Sequence, residues 1–294
     1  MQKRLVAYLV MDDMGDFVSD FHLSTAPMQA LGWEVTTVPW RSSPDWDQYD
    51  AVYICTPWDY PQYADEFMQV LENIEASDAV LINPLPIVHW NLDKSYMKDV
   101  ASRGDDIVPS SWYDGFRAED VPGFFARHGV DKVVIKPAIG GNAADTYVLS
   151  NPIGDDLLAR LASTFADRRF FVQPFIENIL PEGEYSLFFF NGRYSHTIVK
   201  TPAAGDFRVQ EEHGGEIVAT EPPDGLLEIG QRVFGHIEPL PVYGRGDWVR
   251  GPDGRFLLME LELIEPSLYL RTNPGSAARF ARAFDEGFQE LTRK

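Results

Sequence analysis

The stretch that most constrains this chain runs from Val242 to Leu270, VYGRGDWVRGPDGRFLLMELELIEPSLYL. It reads as a strand ending in Asp247, a hairpin turn at Gly251-Pro252-Asp253-Gly254, and a second strand from Arg255 to Leu263. Side chains two apart on a strand share a face, so Glu260 and Glu262 project together while Leu261 and Leu263 take the other side. Pairing across the turn brings Asp247 onto the acidic face. Alternating acids often form only the solvated face of an antiparallel sheet. Here the flanks argue for burial: Phe256, Leu257, Leu258 and Met259 precede the acids without a polar break, and Leu268, Tyr269 and Leu270 follow them. A buried unpaired acid is costly, and a cation is the common remedy. Oxygen ligands alone suit a hard ion such as Mg²⁺, which takes one or two carboxylates plus the phosphates of a substrate. The remainder of the chain is therefore expected to supply a nucleotide site.

The first third has α/β character. Arg4 to Met11 and Val35 to Val38 read as strands, with a helix from Phe21 to Leu31 closed by Gly32, which makes a βαβ unit. A third strand, Ala51 to Cys55, ends in Thr56-Pro57-Trp58-Asp59-Tyr60 and leads into a helix carrying Phe67, Val70, Leu71 and Ile74. Open α/β sheets bind ligands beyond the carboxyl ends of their strands, so Thr56, Trp58, Asp59 and Tyr60 are candidate substrate contacts, as is the Asp12 to Asp16 segment. Val80 to Ile82 gives a fourth strand before Asn83-Pro84-Leu85-Pro86, the expected boundary of a first domain over residues 1–84. A helix starting at Asn91 or Asp93 opens a second segment, 85–175, and sets Lys94 in its first turn, where a cation opposes the helix dipole and wants an anion.

Lys136 follows apolar residues on a short strand, VVIKPAIGGNAADTYVL, and a small-residue loop with Gly140 and Gly141 comes after it. Backbone amides of such a loop can close over phosphates while the lysine neutralises them, although this is no Walker sequence. Arg169 to Ile176 is another apolar strand, and its Gln173-Pro174 end frees backbone groups able to read an adenine edge. In the third segment, 176–294, Glu184 opens a strand that turns at Asn191-Gly192 into a hairpin. Lys200, Arg208 and Gly214-Gly215 lie beyond that turn, and the chain closes on an amphipathic helix from Ala277 to Leu291.

Composition narrows the partners. With 25 basic and 45 acidic residues the 294-residue chain carries a net charge of −20, a field that repels nucleic acid and anionic lipid. The single cysteine, Cys55, sits in an apolar run and fits a reducing cytoplasm as a small buried residue. The basic, apolar start is cut off by Asp12 and Asp13 without a cleavage site, and reads as a first strand rather than a signal peptide. No stretch approaches the length of a membrane span.

Taken together, buried Lys136 with its glycine loop, the Gln173 strand end and the Asp247, Glu260, Glu262 set resemble the ATP-grasp superfamily, and the order along the chain matches. The sequence is similar to its glutathione synthetase-like branch. TPWDY at 56–60, WNLDKSYM at 90–97, RYSHTIVK at 193–200 and MELELIEPSLYL at 259–270 resemble the group that contains the D-cycloserine-forming cyclo-ligase of antibiotic biosynthesis. This resemblance spans nearly the whole chain. It implies an N-terminal parallel domain and two α+β subdomains clasping ATP. Lys94 and Lys136 would then hold ATP phosphates under the Gly140–Gly141 loop. Gln173, Phe175 and Ile176 match the hinge that receives adenine, and Glu184 the acid that reaches the ribose hydroxyls. Lys200 and Arg208 fall where the family neutralises the transferred phosphate and acyl phosphate, and Asp247, Glu260 and Glu262 match the Mg²⁺ ligands. The usual pattern there is Glu-x-Asn. Glu262 replaces the amide, which makes the site more negative and suited to two ions, with Mn²⁺ as an alternative metal.

The implied reaction phosphorylates a substrate oxygen and then lets an amine attack the activated carbon. Positioning and charge neutralisation carry phosphoryl transfer, so the lysines, arginine and metal suffice and no dedicated nucleophile is required. The reading is an ATP-dependent, ADP-forming ligase or cyclo-ligase for a small amino-acid-like substrate, with Arg245 and Arg271 as candidate carboxylate contacts. The competing readings are an intermolecular carboxylate–amine ligase of dipeptide or glutathione type, and a regulatory ATP-binding protein without turnover. His196 and His213 read first as packed or surface residues, and relatives imply a homodimer or homotetramer.

Overall fold

The computed structural model describes residues 3–293, so Met1, Gln2 and Lys294 of the expected terminal segments lie outside the described residues. A four-stranded parallel sheet comes first, from β1 (Arg4–Val10), β2 (Trp33–Pro39), β3 (Ala51–Thr56) and β4 (Val80–Ile82), in the order β2-β1-β3-β4. Helix α1 (Thr25–Ala30), entered through a 3-10 turn at Phe21–Ser24, and α2 (Ala64–Glu75) are its connections. All six β3 residues are buried because both faces are covered. Phe67, Leu71 and Ile74 of α2 pack on Ala7, Leu9, Val52 and Ile54. The opposite face, Val6, Tyr8 and Tyr53, receives Phe280 and Phe284 from the C-terminal helix α8 (Ser276–Leu291).

After the parallel sheet, α3 (Leu85–Leu92) and α4 (Tyr96–Ser102) lead into β5 (Ser111–Tyr113), α5 (Val121–His128), β6 (Lys132–Pro137), β7 (Tyr147–Ser150), α6 (Asp155–Thr164) and β8 (Phe170–Pro174). Their antiparallel sheet runs β5-β8-β6-β7. Alternation decides what each face does: Val133 and Ile135 of β6 pack on Phe124 of α5 and Leu161 of α6, and Val134 and Lys136 face the other way. The third sheet, order β11-β10-β9-β12-β13, comprises β9 (Glu184–Phe190), β10 (Arg193–Thr201), β11 (Glu216–Thr220), β12 (Tyr243–Arg250) and β13 (Phe256–Glu262), with α7 (Leu226–Gly235) before β12.

Several expectations shift in detail. The first strand of the acidic hairpin continues past Asp247 to Arg250, since Trp248 and Val249 find full burial on the sheet. The helix expected from Asn91 or Asp93 is two helices. Pro84 and Leu85-Pro86 start α3, where a proline's missing N–H costs nothing; the Asp93 side chain accepts from Ser95 N at 2.8 Å, and α4 begins at Tyr96.

Asn83, expected at a domain boundary, is fully buried. Its amide donates to Tyr243 O and Leu263 O, both at 2.8 Å, and accepts from Val242 N at 2.7 Å. Further along, Asn91 donates to Leu261 O at 3.0 Å and accepts from Leu263 N at 2.9 Å, while the Tyr96 hydroxyl does the same with Leu261 O at 2.9 Å and Leu261 N at 2.7 Å. β13 is an edge strand whose outer backbone groups would otherwise be buried without partners. Three side chains complete its ladder and hold its acids in place.

Candidate active site

The hairpin register sets the floor of a deep cleft: Asp247 lies opposite Glu260 and Arg245 opposite Glu262. Asp247 is 3 % exposed and its Oδ1 accepts from Ser186 Oγ at 2.5 Å and from Lys200 Nζ at 3.4 Å. Arg245 donates to Asp247 Oδ2 at 3.0 Å and also to Glu262, while Lys200 also pairs with Glu184. Charges thus alternate along one buried chain, Glu184–Lys200–Asp247–Arg245–Glu262. Burial works against the Asp247 carboxylate, but Arg245 and Lys200 outweigh it and bring its pKa down to about 2. At Glu262 burial prevails, helped by Asp247 and Glu260 against Arg245, and the carboxyl is pushed up to about 7. Burial also opposes the Lys200 ammonium, yet Asp247 and Glu184 hold it above the usual lysine range.

The roof comes from the β6–β7 connection. Lys136 lines the cleft, makes no ion pair among the described residues, and is lowered by burial, which Glu260 and Glu184 only partly offset. Gly140 and Gly141 line the cleft above it. Lys94 joins roof to floor: its Nζ donates to Gly140 O at 2.5 Å and pairs with Glu260 Oε1 at 2.8 Å. Burial disfavours that ammonium, but Glu260 more than compensates and its pKa rises. At the far end Gln173, Phe175 and Ile176 line the wall, with Gln173 Nε2 donating to Ser110 Oγ at 3.0 Å. The cleft has a volume of about 170 Å³.

Three comparisons bear on this cleft. The N-terminal domain model of D-cycloserine synthetase DcsG matches residues 6–83. The cycloserine biosynthesis protein DcsG of Streptomyces lavendulae is 31% identical over 278 residues, covering 88% of each chain. The chain belongs to the DcsG family of ATP-grasp ligases. In the crystal structure of D-cycloserine synthetase DcsG the family fold superposes with a TM-score of 0.84 at 27% identity, covering 97% of this chain and 99% of the other. The ATP-grasp ligase PsnB, complexed with a phosphomimetic variant of its minimal precursor, Mg and ADP, shares the fold with a TM-score of 0.66 at 17% identity, over 98% and 99% of the chains.

For this DcsG-family chain the fold gathers most of the residues singled out from sequence. Lys94, Lys136, Glu184, Lys200, Arg208 and Arg245 line the cleft with Gly140, Gly141, Gln173, Phe175 and Ile176, as do Asp247, Glu260 and Glu262 on the floor and Trp58 and Tyr60 on the first-domain side. Three others stand apart. Asp59 turns away to accept from Trp40 Nε1 at 2.7 Å and to pair with Arg41. Arg271 donates to Asp20 and Glu211 outside the cleft, at 3.4 and 2.5 Å, because acids on two neighbouring segments already claim its guanidinium. Thr56 lines a small adjoining cavity with Asp20 and Ser267. His196 is packed: its ring stacks on Phe188 with centroids 4.2 Å apart, and Nε2 donates to Leu268 O at 3.1 Å. Sequence reading missed Glu265, a further cleft acid that burial beside Glu262 pushes up to about 8. The signal was present in ELELIEP, since Glu265 follows the acidic pair by three residues.

Proposed function

We propose that this ATP-dependent ligase binds Mg²⁺-ATP in the cleft and acts on a small amino-acid-like substrate, with a cycloserine-type cyclisation as the favoured outcome. One observation carries this reading: two lysines, a glycine loop and three carboxylates, scattered over residues 94–262, line a single cleft. Family resemblance adds the order in which they occur.

Among the described residues no three His, Cys, Asp or Glu side chains are grouped tightly enough to hold a metal unaided. Lys94 and Arg245 stand among the acids instead. This fits Mg²⁺, which needs only one or two carboxylates when phosphates supply other ligands. Asp247, Glu260 and Glu262 would hold it, and the bound ion supplies charge neutralisation at the phosphate oxygens. Lys94 and Lys136 hold the phosphates in place, Gln173 to Ile176 take the base, and Glu184 the ribose. Lys200 and Arg208 sit against the transferred phosphate. A substrate oxygen takes the γ-phosphoryl group and ADP leaves; an amine then attacks the activated carbon and inorganic phosphate departs. The residues 1–84, 85–175 and 176–294 serve respectively as substrate wall, central roof and metal floor.

The test is ADP formation with Mg²⁺-ATP across small amino acids, O-ureidoserine in both configurations included, for wild type and Glu260→Gln. Substrate-dependent ADP that disappears in the variant is the expected result. Unchanged turnover in Glu260→Gln would remove the metal assignment, and ATP bound without substrate-dependent ADP would favour a regulatory protein.

A further inference from the structure

The cleft-lining acids are not alike in their partners. Glu184, Asp247, Glu260 and Glu262 each pair with a lysine or arginine, and Glu212 is exposed. Glu265 is half-buried and makes no ion pair among the described residues. Its backbone is fixed by Trp58 Nε1, which donates to Glu265 O at 2.9 Å, and the Tyr60 hydroxyl faces its carboxyl group. Trp58 is itself held edge-on against Phe17, with centroids 5.5 Å apart. The acid therefore sits where the first domain meets the hairpin, between two aromatic side chains that line the same cleft.

A half-buried acid with no ion-pair partner, set in one cleft with Glu260 and Glu262, adds negative charge that a cation from outside the protein would relieve. Two kinds of cation could come. A second Mg²⁺ would want a shell of oxygen ligands and its own water, and beside Glu265 the Trp58 indole edge, already bonded to the backbone, leaves only the Tyr60 hydroxyl. An alkylammonium needs one carboxylate for a charge-assisted hydrogen bond and tolerates apolar ring edges around its stem. We propose that Glu265, walled by Trp58 and Tyr60, receives the ammonium group of the amino-acid substrate and so selects α-amino acids over their des-amino counterparts. This rests on the ligase reading above.

The test uses the full chain loaded with Mg²⁺ and a non-hydrolysable ATP analogue, titrated calorimetrically with O-ureidoserine and with 3-(ureidooxy)propanoic acid, its des-amino analogue. ADP formation from both compounds is measured alongside with ATP. Wild type is expected to prefer the amino acid by about 10- to 100-fold, the worth of one hydrogen bond to a charged group. Glu265→Gln should lose most of that preference while KM for ATP and the Mg²⁺ dependence stay unchanged; Glu265→Asp should recover part of it. Equal binding of both compounds by wild type, with ADP still formed, overturns the ammonium site and leaves the ligase reading intact. Preferential binding of the amino acid without ADP supports the site and overturns the ligase reading. Binding of neither compound overturns the site, and an altered Mg²⁺ dependence in Glu265→Gln with the preference retained replaces it by a metal role.

Discussion

Floor and roof of the cleft are built on opposite principles. On the floor, Asp247, Arg245 and Lys200 belong to strands in the middle of a sheet, are 3–6 % exposed, and each has its charge matched by neighbours. The roof, residues 138–146, is a loop in which Asn142, Ala143 and Asp145 hold left-handed backbone with φ of 52–53°. Such a conformation costs a side-chain-bearing residue on the order of 1–2 kcal/mol. A few tethers restrain it: Arg168 donates to Asp145 at 2.5 Å and to Ile139 O at 3.1 Å, and Lys94 reaches Gly140. The floor is preorganised, as charge stabilisation requires. The roof is held by these few contacts, which suits a segment that a large ligand must pass.

If that contrast is right, the largest effect follows from breaking the floor's charge chain. Asp247→Ala leaves Lys200 and Arg245 buried with too few acids. Removing one partner of a buried pair costs about 3–5 kcal/mol, so the variant should lose that much stability in urea titrations together with its ADP formation. Loss of activity at full stability would show that the floor is not one electrostatic unit.

Next comes the packing beneath the floor. Burial lowers His196 to about 4, with the Leu268 carbonyl opposing. Between pH 6.5 and 4 the unfolded chain therefore binds a proton that the folded chain refuses, so stability falls as pH falls through this window. Across this window the effect amounts to about 3 kcal/mol. His196→Phe should flatten this part of the pH–stability profile, while the remaining slope, set by other groups, is shared with wild type. Unfolding midpoints at pH 4.5 and 7 decide it.

The edge-strand clamps give a smaller effect. Asn91→Ala strands Leu263 N and leaves Leu261 O to Tyr96 alone, at about 1–3 kcal/mol for an unpaired buried group. Because β13 carries Glu260 and Glu262, KM for Mg²⁺ should rise in the same variant. A stability loss with unchanged metal dependence would mean that Asn91 holds the fold but does not aim the acids.

How far these regions could be read from sequence also differs. The hairpin was legible because period-two alternation places Glu260 and Glu262 on one face whatever lies beyond it, and Lys136 because a cation closes an apolar strand run just before a small-residue glycine loop. The Asn191-Gly192 and Gly251 to Gly254 turns announce themselves by composition. What escaped depends on contacts distant in the chain. Nothing in Asn83 or Asn91 reveals that their amides complete a strand about 170 residues later, and a C-terminal amphipathic helix does not disclose that its Phe280 and Phe284 cover the first sheet. Asp59 and Arg271 looked like site residues beside motif residues, but side-chain direction and local counter-ions took them elsewhere. Glu265 stood in view three residues past the acidic pair, but its lack of an ion-pair partner, which sets it apart from Glu260 and Glu262, shows only in three dimensions.

The roof offers the mildest and most discriminating variant. A Cβ on Gly140 would stand 2.6 Å from Pro137 Cγ, nearer than real side chains approach, and the ring of a proline cannot swing aside. Gly140→Ala must therefore displace the loop, drawing Gly140 O away from Lys94 Nζ. The loop contributes little to the core, so stability should change by no more than about 0.5 kcal/mol, as for surface positions generally. The Lys94–Glu260 pair remains within reach of the floor, so kcat should hold while KM for ATP rises about tenfold, the worth of roughly one lost charge-assisted hydrogen bond. A matched fall in kcat would place the roof's contribution in the transition state and would bring it closer in kind to the floor. A rise in KM alone confines the roof to holding ATP and leaves the chemistry to the strands beneath.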